Sequence, residues 1–390
     1  GGAAGASRPA CFGDGSPCLR RCVRVTDDVR RNDMWNDMWK RIGKAERFEE
    51  LRACRDEATA LLGDPRAAAD IAGWNEVVNH LHDLLIGRTV FLSERMLAEK
   101  GLGPPPVRYA FVLFGSGGRS EQTPWSDQDN GLLYADGGDP KETEDYFHLL
   151  VGSILHGLGI LGYPPCQGNV LCSNPRWRKP LSDWKRRLNE WFGDPTWENV
   201  RYTLIVADAR AVYGDASLVR ALAEDMRQKI RERPDMLGRM LKNTLHHKVA
   251  LNWFGRLVTE RYGEDAGGFD VKYGAYLPIV NGVRLLALAH GVAGTSTLER
   301  IAGLTRIGVL SPAQESRWRD AFLSALLFRA EAPFQLQDGL YTTRGKLRDI
   351  QLTRQRRREL KECLLTGKAI QQFVRRHISA VLARSGKHRK

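Results

Sequence analysis

Over the first hundred residues the apolar positions keep the spacing of one helical face. Leu51, Ala58, Leu61 and Leu62 mark one run, and Val77, Leu81, Leu84, Leu85, Val90 and Leu92 a second. Residues 44–100 are therefore predicted helical. The run ends in Gly-Leu-Gly-Pro-Pro-Pro at 101–106, a breaker that suits a domain boundary. The period then changes. Residues 107–114 are aromatic and β-branched, a strand, and 130–135 read as a second. Residues 142–161 return to a helix that stops near Gly162-Tyr163-Pro164-Pro165, and 169–172 could form a third, short strand. From Leu181 nearly everything reads helical, with breaks near Asp194-Pro195, Gly214-Asp215, 263–268, Gly294 and Ser311-Pro312. This pattern predicts a small α/β unit between helical regions, with a large helical C-terminal half.

The two ends differ in kind. Residues 1–33 are rich in Gly, Ala, Arg and Asp with little apolar pattern, and are expected to be disordered. Next comes a doubled Asn-Asp-Met-Trp (Met34-Trp35, Met38-Trp39), whose period of four puts both pairs on nearly one helical face as a docking stripe. At the other end Arg354, Arg356, Arg357 and Arg358 cluster, and Ile370, Phe373, Val374, Ile378, Val381 and Leu382 keep helical spacing among Arg375, Arg376 and Arg384. That is a basic amphipathic helix, which could meet nucleic acid or an anionic membrane but more commonly packs its apolar face on its own domain. The expected divisions are 1–33, 34–103, 104–215, 216–350 and 351–390.

Charge sharpens this picture. The net charge is +13. Twelve Lys or Arg against two Glu fall between Thr353 and Lys390, so the rest of the chain is near balance and the fold as a whole is not a basic nucleic-acid binder. No apolar run approaches the length of a membrane span and no signal-peptide succession is present, which makes a cytoplasmic location the default expectation. The seven cysteines are scattered without a Cys-x-x-Cys pair, and Cys18 and Cys22 read as free thiols in a flexible arm rather than a metal half-site.

Candidate chemistry is concentrated between Gly115 and Asn130. Gly115-Ser116-Gly117-Gly118 follows a strand directly, and glycines there let backbone N–H groups approach a phosphate. Ser116 adds a hydroxyl donor and Arg119 a charge for phosphate or for the turn. Asp127 and Asp129 stand two apart before an apolar strand, so their carboxylates point the same way and call for a cation between them. Magnesium suits that donor set, bridging carboxylate and triphosphate oxygens.

Gly-Ser-x-x-Arg-x-Glu followed by Ser-Asp-x-Asp before an apolar strand resembles the polymerase-β-type nucleotidyltransferase signature. It is similar to the N-terminal domain of PII uridylyltransferases. It is closer to the nucleotidyltransferases that sit beside CBS domains in bacterial signalling proteins. Downstream, 162–170 with 173–177, Asp208-Ala209-Arg210, 269–274 with Pro278 and Arg284, and 294–300 resemble later segments of that group and its substrate-binding C-terminal domain. The resemblance implies an α/β (α+β) nucleotidyltransferase core with a short mixed sheet, flanked by an N-terminal helical region and a large helical C-terminal domain. It implies triphosphate binding at Gly115, Ser116 and Gly117 with Arg119, magnesium at Asp127 and Asp129, and Lys272 and Arg284 facing nucleotide or acceptor. The transfer would be of a nucleoside monophosphate to a hydroxyl, with a PII-like regulatory protein as a possible acceptor.

Such enzymes ordinarily use a third carboxylate on a later strand. Residues 169–172 carry no acid, and Asp208 is the nearest candidate. A nucleotide-binding module without turnover therefore stays open, and RNA nucleotide addition is a weaker third reading. His82-Asp83, an isolated doublet in a helical context, reads as surface rather than as part of a hydrolase site.

Overall fold

The computed structural model describes residues 29–251, 257–259, 267–348 and 352–387. Three helices come first: α1 (Val29–Lys44), α2 (Phe48–Leu62) and the long α3 (Ile71–Glu99), whose start is capped by the Asp70 carboxylate accepting from Ala72 N–H. Most of the arm expected to be disordered lies outside the described residues, as do Cys18 and Cys22, but its last residues already belong to α1. The Met-Trp stripe docks in part: Met38 is buried, Trp35 stacks on Trp39, and Trp39 meets His80 of α3 edge-on, whereas Met34 stays exposed.

Next come β1 (Tyr109–Leu113), β2 (Asn130–Tyr134), α4 (Pro140–Ile160), β3 (Arg178–Pro180), α5 (Leu181–Gly193), α6 (Trp197–Val206) and β4 (Arg210–Gly214). They build one sheet in the order β3-β2-β1-β4. β1 lies antiparallel to both neighbours, and β3 is parallel to β2. β1 is central and wholly apolar, and its alternate residues serve two cores. Tyr109, Phe111 and Leu113 join the helices of the N-terminal region, whereas Ala110, Val112 and Phe114 join the C-terminal core.

Two expectations are corrected. Residues 169–172 are not a strand: Asn169 takes a positive φ of 53°, which breaks extended geometry. The third strand is Arg178–Pro180 instead. β4 also forms the sheet edge where only helix had been expected.

The C-terminal part holds α7 (Ala216–Glu232), α8 (Met236–Thr244), a short β5 (Gly268–Asp270), a π-helical turn (Lys272–Tyr276), α9 (Leu277–Ala289), α10 (Thr297–Arg306) and α11 (Pro312–Ala330). Ser296 and Ser311 start α10 and α11 with capping boxes closed by Glu299 and Gln314. A hairpin of β6 (Phe334–Gln337) and β7 (Leu340–Thr343) precedes β8 (Lys346–Arg348), which pairs with β5. The basic C-terminal segment is the longest helix, α12 (Arg354–Lys387). It packs on α9 and α11 through Leu360, Leu364, Ile370, Val374 and Ile378, all fully buried, while Arg354, Arg357, Lys361, Lys368 and Arg375 stay exposed. No described helix is long and apolar enough to cross a membrane.

Candidate functional site

The glycine turn is held between two aspartates. At the end of β1, Phe114 N–H donates to the Asp129 carbonyl (2.9 Å), which ties the turn to the approach to β2. Gly115 has φ 53°, and a Cβ on it would lie 2.5 Å from Asp129 Oδ2, so the carboxylate rests against the turn. Residues Gly115–Gly118 make one helical turn, closed by Gly118 N–H to Phe114 O (2.9 Å) and Arg119 N–H to Gly115 O (3.1 Å). Behind it, a Cβ on Gly118 would fall 1.9 Å from the Asp208 carbonyl oxygen. Arg210, paired with Asp83, donates to the Gly117 carbonyl (2.8 Å) and fixes its orientation. The first amides of such a turn have no intrahelical partner and present positive dipole ends outward.

Asp127 and Asp129 lie together, as the sequence predicts. Their segment is set from the 164–172 side: Gln128 N–H donates to Pro164 O, Asn130 N–H to Val170 O, and Cys172 N–H to Asn130 Oδ1. Burial, and after it the negative charge of Asp127, push the Asp129 carboxyl above its ordinary range, while Cys166, Lys272 and Arg119 oppose that shift. The Cys166 thiol beside it is pushed up to about 12 by burial and by Asp129. Two half-buried carboxylates in mutual repulsion form a hard-oxygen cradle of the kind magnesium takes through one or two carboxylates and phosphate oxygens. Among the described residues no group of three or more acidic, His or Cys side chains could hold a metal.

A cleft of about 420 Å³ opens at Asp127. Thr123, Trp125, Ser126, Pro165 and Gln167 line it together with Asp270, Lys272, Tyr273, Arg344 and Lys346. Lys272, expected to face nucleotide or acceptor, thus shares this cleft with Asp127. Sequence reasoning passed over Asp270, the second acid of this cleft, whose Oδ1 accepts from Tyr273 N–H (2.8 Å).

Three other expected site residues are placed elsewhere. Asp208 is fully buried, and its carboxylate accepts from Arg119 (2.6 Å), Arg284 (2.7 Å) and Arg300 (2.7 Å). With both oxygens occupied it is not a third carboxylate beside Asp127 and Asp129. Burial alone would push its carboxyl up, but Arg284, Arg300 and Arg119 outweigh that and hold it well below the usual range. Arg119 and Arg284 are correspondingly buried in this cluster and do not line the cleft. Glu121 completes the cluster: it pairs with Arg119 (2.8 Å), accepts from the Tyr276 hydroxyl, and accepts from Thr297 N–H (2.6 Å) at the start of α10. The Arg-x-Glu of the turn is thus a buried joint to the C-terminal helices. Glu121, Tyr276 and Arg300 escaped sequence reasoning because nothing local marks a partner more than 80 residues away.

The loop from Glu121 to Ser126, which leads to Asp127, is gripped from both sides. Asn75 donates to Gln122 O (2.7 Å), Asn79 Oδ1 accepts from Gln122 N–H (2.9 Å), and Arg55 donates to Pro124 O (2.9 Å). From the C-terminal side Arg329 donates to Glu121 O (3.0 Å). His82, expected at the surface, is buried in this grip, with Nε2 3.1 Å from Thr123 O and Nδ1 2.6 Å from the Tyr163 hydroxyl. A carbonyl only accepts, so Nε2 carries the proton and Nδ1 accepts from Tyr163. Burial, with the nearby Arg55, lowers the imidazole pKa to about 3. Asp83 is the ion-pair partner of Arg210.

Comparison with known families agrees with this arrangement. The family described as "Putative nucleotidyltransferase DUF294" matches residues 56–198. The one described as "Putative nucleotidyltransferase substrate binding domain" matches residues 234–378. The chain belongs to this nucleotidyltransferase family. The DUF294 match carries the glycine turn, Asp127 and Asp129, and the substrate-binding match carries Lys272, so the cleft lies where the two meet. Asp208 falls in the unmatched junction between them. The two domains support a general nucleotidyltransfer function. No curated protein matches it.

Proposed function

We propose that the chain transfers a nucleoside monophosphate from a nucleoside triphosphate to a hydroxyl acceptor, with magnesium held by Asp127 and Asp129. The carrying observation is that Asp129 rests against the glycine turn and feels the charges of Asp127 and Lys272, which line one cleft. The amides of Gly115, Ser116 and Gly117 and the Ser116 hydroxyl would hold phosphate oxygens, and Lys272 would neutralise charge on the tail. Magnesium, when bound, would neutralise triphosphate charge and draw electron density from the α-phosphate. The acceptor oxygen forms a bond to the α-phosphorus as the α–β bridging bond breaks, pyrophosphate leaves, and the hydroxyl proton passes to solvent or a nearby base. The chain supplies position and charge rather than a covalent nucleophile.

A PII-like regulatory protein is the acceptor that the sequence resemblance suggests. A second reading, a nucleotide-responsive module without turnover, is favoured because, among the described residues, no third acidic side chain joins Asp127 and Asp129 in a group that could hold a metal. Pyrophosphate release from each of the four ribonucleoside triphosphates with magnesium, with and without a PII-type protein, separates the two. Release that disappears in Asp127→Ala/Asp129→Ala supports transfer. Magnesium-dependent binding without release supports the module.

A further inference from the structure

We infer that Tyr273 is the platform on which the nucleobase of the triphosphate stacks. This rests on the reading of Asp127 and Asp129 as the cation–triphosphate site. Tyr273 follows Lys272 in the π-helical turn and lines the same cleft. Its ring lies against His247, with centroids 5.1 Å apart and planes inclined by 37°, yet the residue remains 48% exposed. Its backbone is fixed where it enters the turn, since Tyr273 N–H donates to Asp270 Oδ1. A large ring anchored at its backbone, packed on one side and open towards a polar cleft, is a preformed apolar surface without an occupant among the described residues.

Order along the cleft identifies the occupant. Lys272 lines the cleft with Asp127 and its charge acts on Asp129, which puts its ammonium towards the carboxylate pair. Lys272 Nζ also lies 5.9 Å from the Tyr273 ring centroid. The sequence carboxylates, ammonium, aromatic ring matches a magnesium-bound triphosphate followed by its planar base. Stacking on one ring face reads the π-surface that every base shares, so this platform would raise affinity for nucleotides generally and leave the choice of base to other groups.

The test is equilibrium binding of ATP, GTP, CTP and UTP, and of inorganic tripolyphosphate, each with magnesium, to the full chain. Tyr273→Ala should weaken binding of all four nucleotides about tenfold, leave tripolyphosphate unchanged, and be rescued by Tyr273→Trp or Tyr273→Phe. Unchanged nucleotide affinity in Tyr273→Ala, or equal weakening of nucleotide and tripolyphosphate, would overturn the inference. Wild-type binding of tripolyphosphate that is as tight as that of the nucleotides would also overturn it while leaving the metal-site reading intact. Failure of the wild type to bind either probe would remove the metal-site reading and the platform with it.

Discussion

Asp208→Asn separates a structural from a catalytic aspartate. In the wild type three guanidinium groups at 2.6–2.7 Å share the Asp208 carboxylate, and Glu121 is the cluster's other acid. The substitution removes one of two negative charges facing three buried positive ones, and it turns an amide donor towards a guanidinium donor. Breaking a buried pair of this kind costs about 3–5 kcal/mol. At roughly 2–4 °C per kcal/mol for a cooperative unit of 150–250 residues, Tm should fall by about 6–20 °C. The assay is thermal and urea unfolding at pH 7, with Asp127→Asn as the control that should leave stability nearly unchanged. The pH dependence gives a second check. A carboxyl held low in the fold contributes stability that is fully present above the unfolded value of about 3.9 and is lost as pH falls through the folded one. The gap between wild type and Asp208→Asn should therefore be constant from pH 7 to 5 and close only in strong acid. An Asp208→Asn protein of unchanged stability that had lost turnover would refute this reasoning and return Asp208 to the reacting atoms.

Other expectations follow from the same contacts. Gly115→Ala strains a positive-φ residue by about 1–2 kcal/mol and displaces Asp129, so it should weaken magnesium-dependent nucleotide binding with modest destabilisation. Gly118→Ala drives a Cβ into the Asp208 carbonyl and should cost about 3 kcal/mol or more, measured by urea midpoint. For His82 the folded pKa is about 3 against 6.5, so the unfolded chain alone gains a proton over that window. Wild-type stability should fall as pH drops from 6.5 towards 3, by at most about 5 kcal/mol, and the slope should flatten in His82→Gln. Lys368→Glu/Arg375→Glu on the exposed face of α12 should change stability by no more than about 0.5 kcal/mol, whereas Leu364→Ala beneath it should cost about 2–5 kcal/mol.

The core of the site was legible because its signals are local. An apolar strand, a glycine turn and an acid pair before a second strand fix geometry within the single stretch Tyr109 to Tyr134, and Asp129 does rest on Gly115. Lys272 could be placed at the cleft only through the resemblance. What stayed hidden depends on distant partners. Arg178-Lys179-Pro180 has no apolar alternation, and its strand exists because it pairs with Leu132-Leu133-Tyr134. Asp208, Arg119 and Arg284 have the charges expected of a phosphate site, but those charges satisfy each other across 76 to 89 residues. His82 looks like a surface histidine until Tyr163 and Thr123 close over it. The basic C-terminal segment showed a helical period whose apolar face proved to be part of the core.

Calorimetric titration of a nucleoside triphosphate into the wild type and into Asp127→Asn/Asp129→Asn, each with and without magnesium, tests the central claim most directly. Binding should require the cation and be lost in the double variant while its fold is retained. Equal nucleotide affinity without magnesium, or in the double variant, would contradict the assignment of these carboxylates as the metal-holding pair.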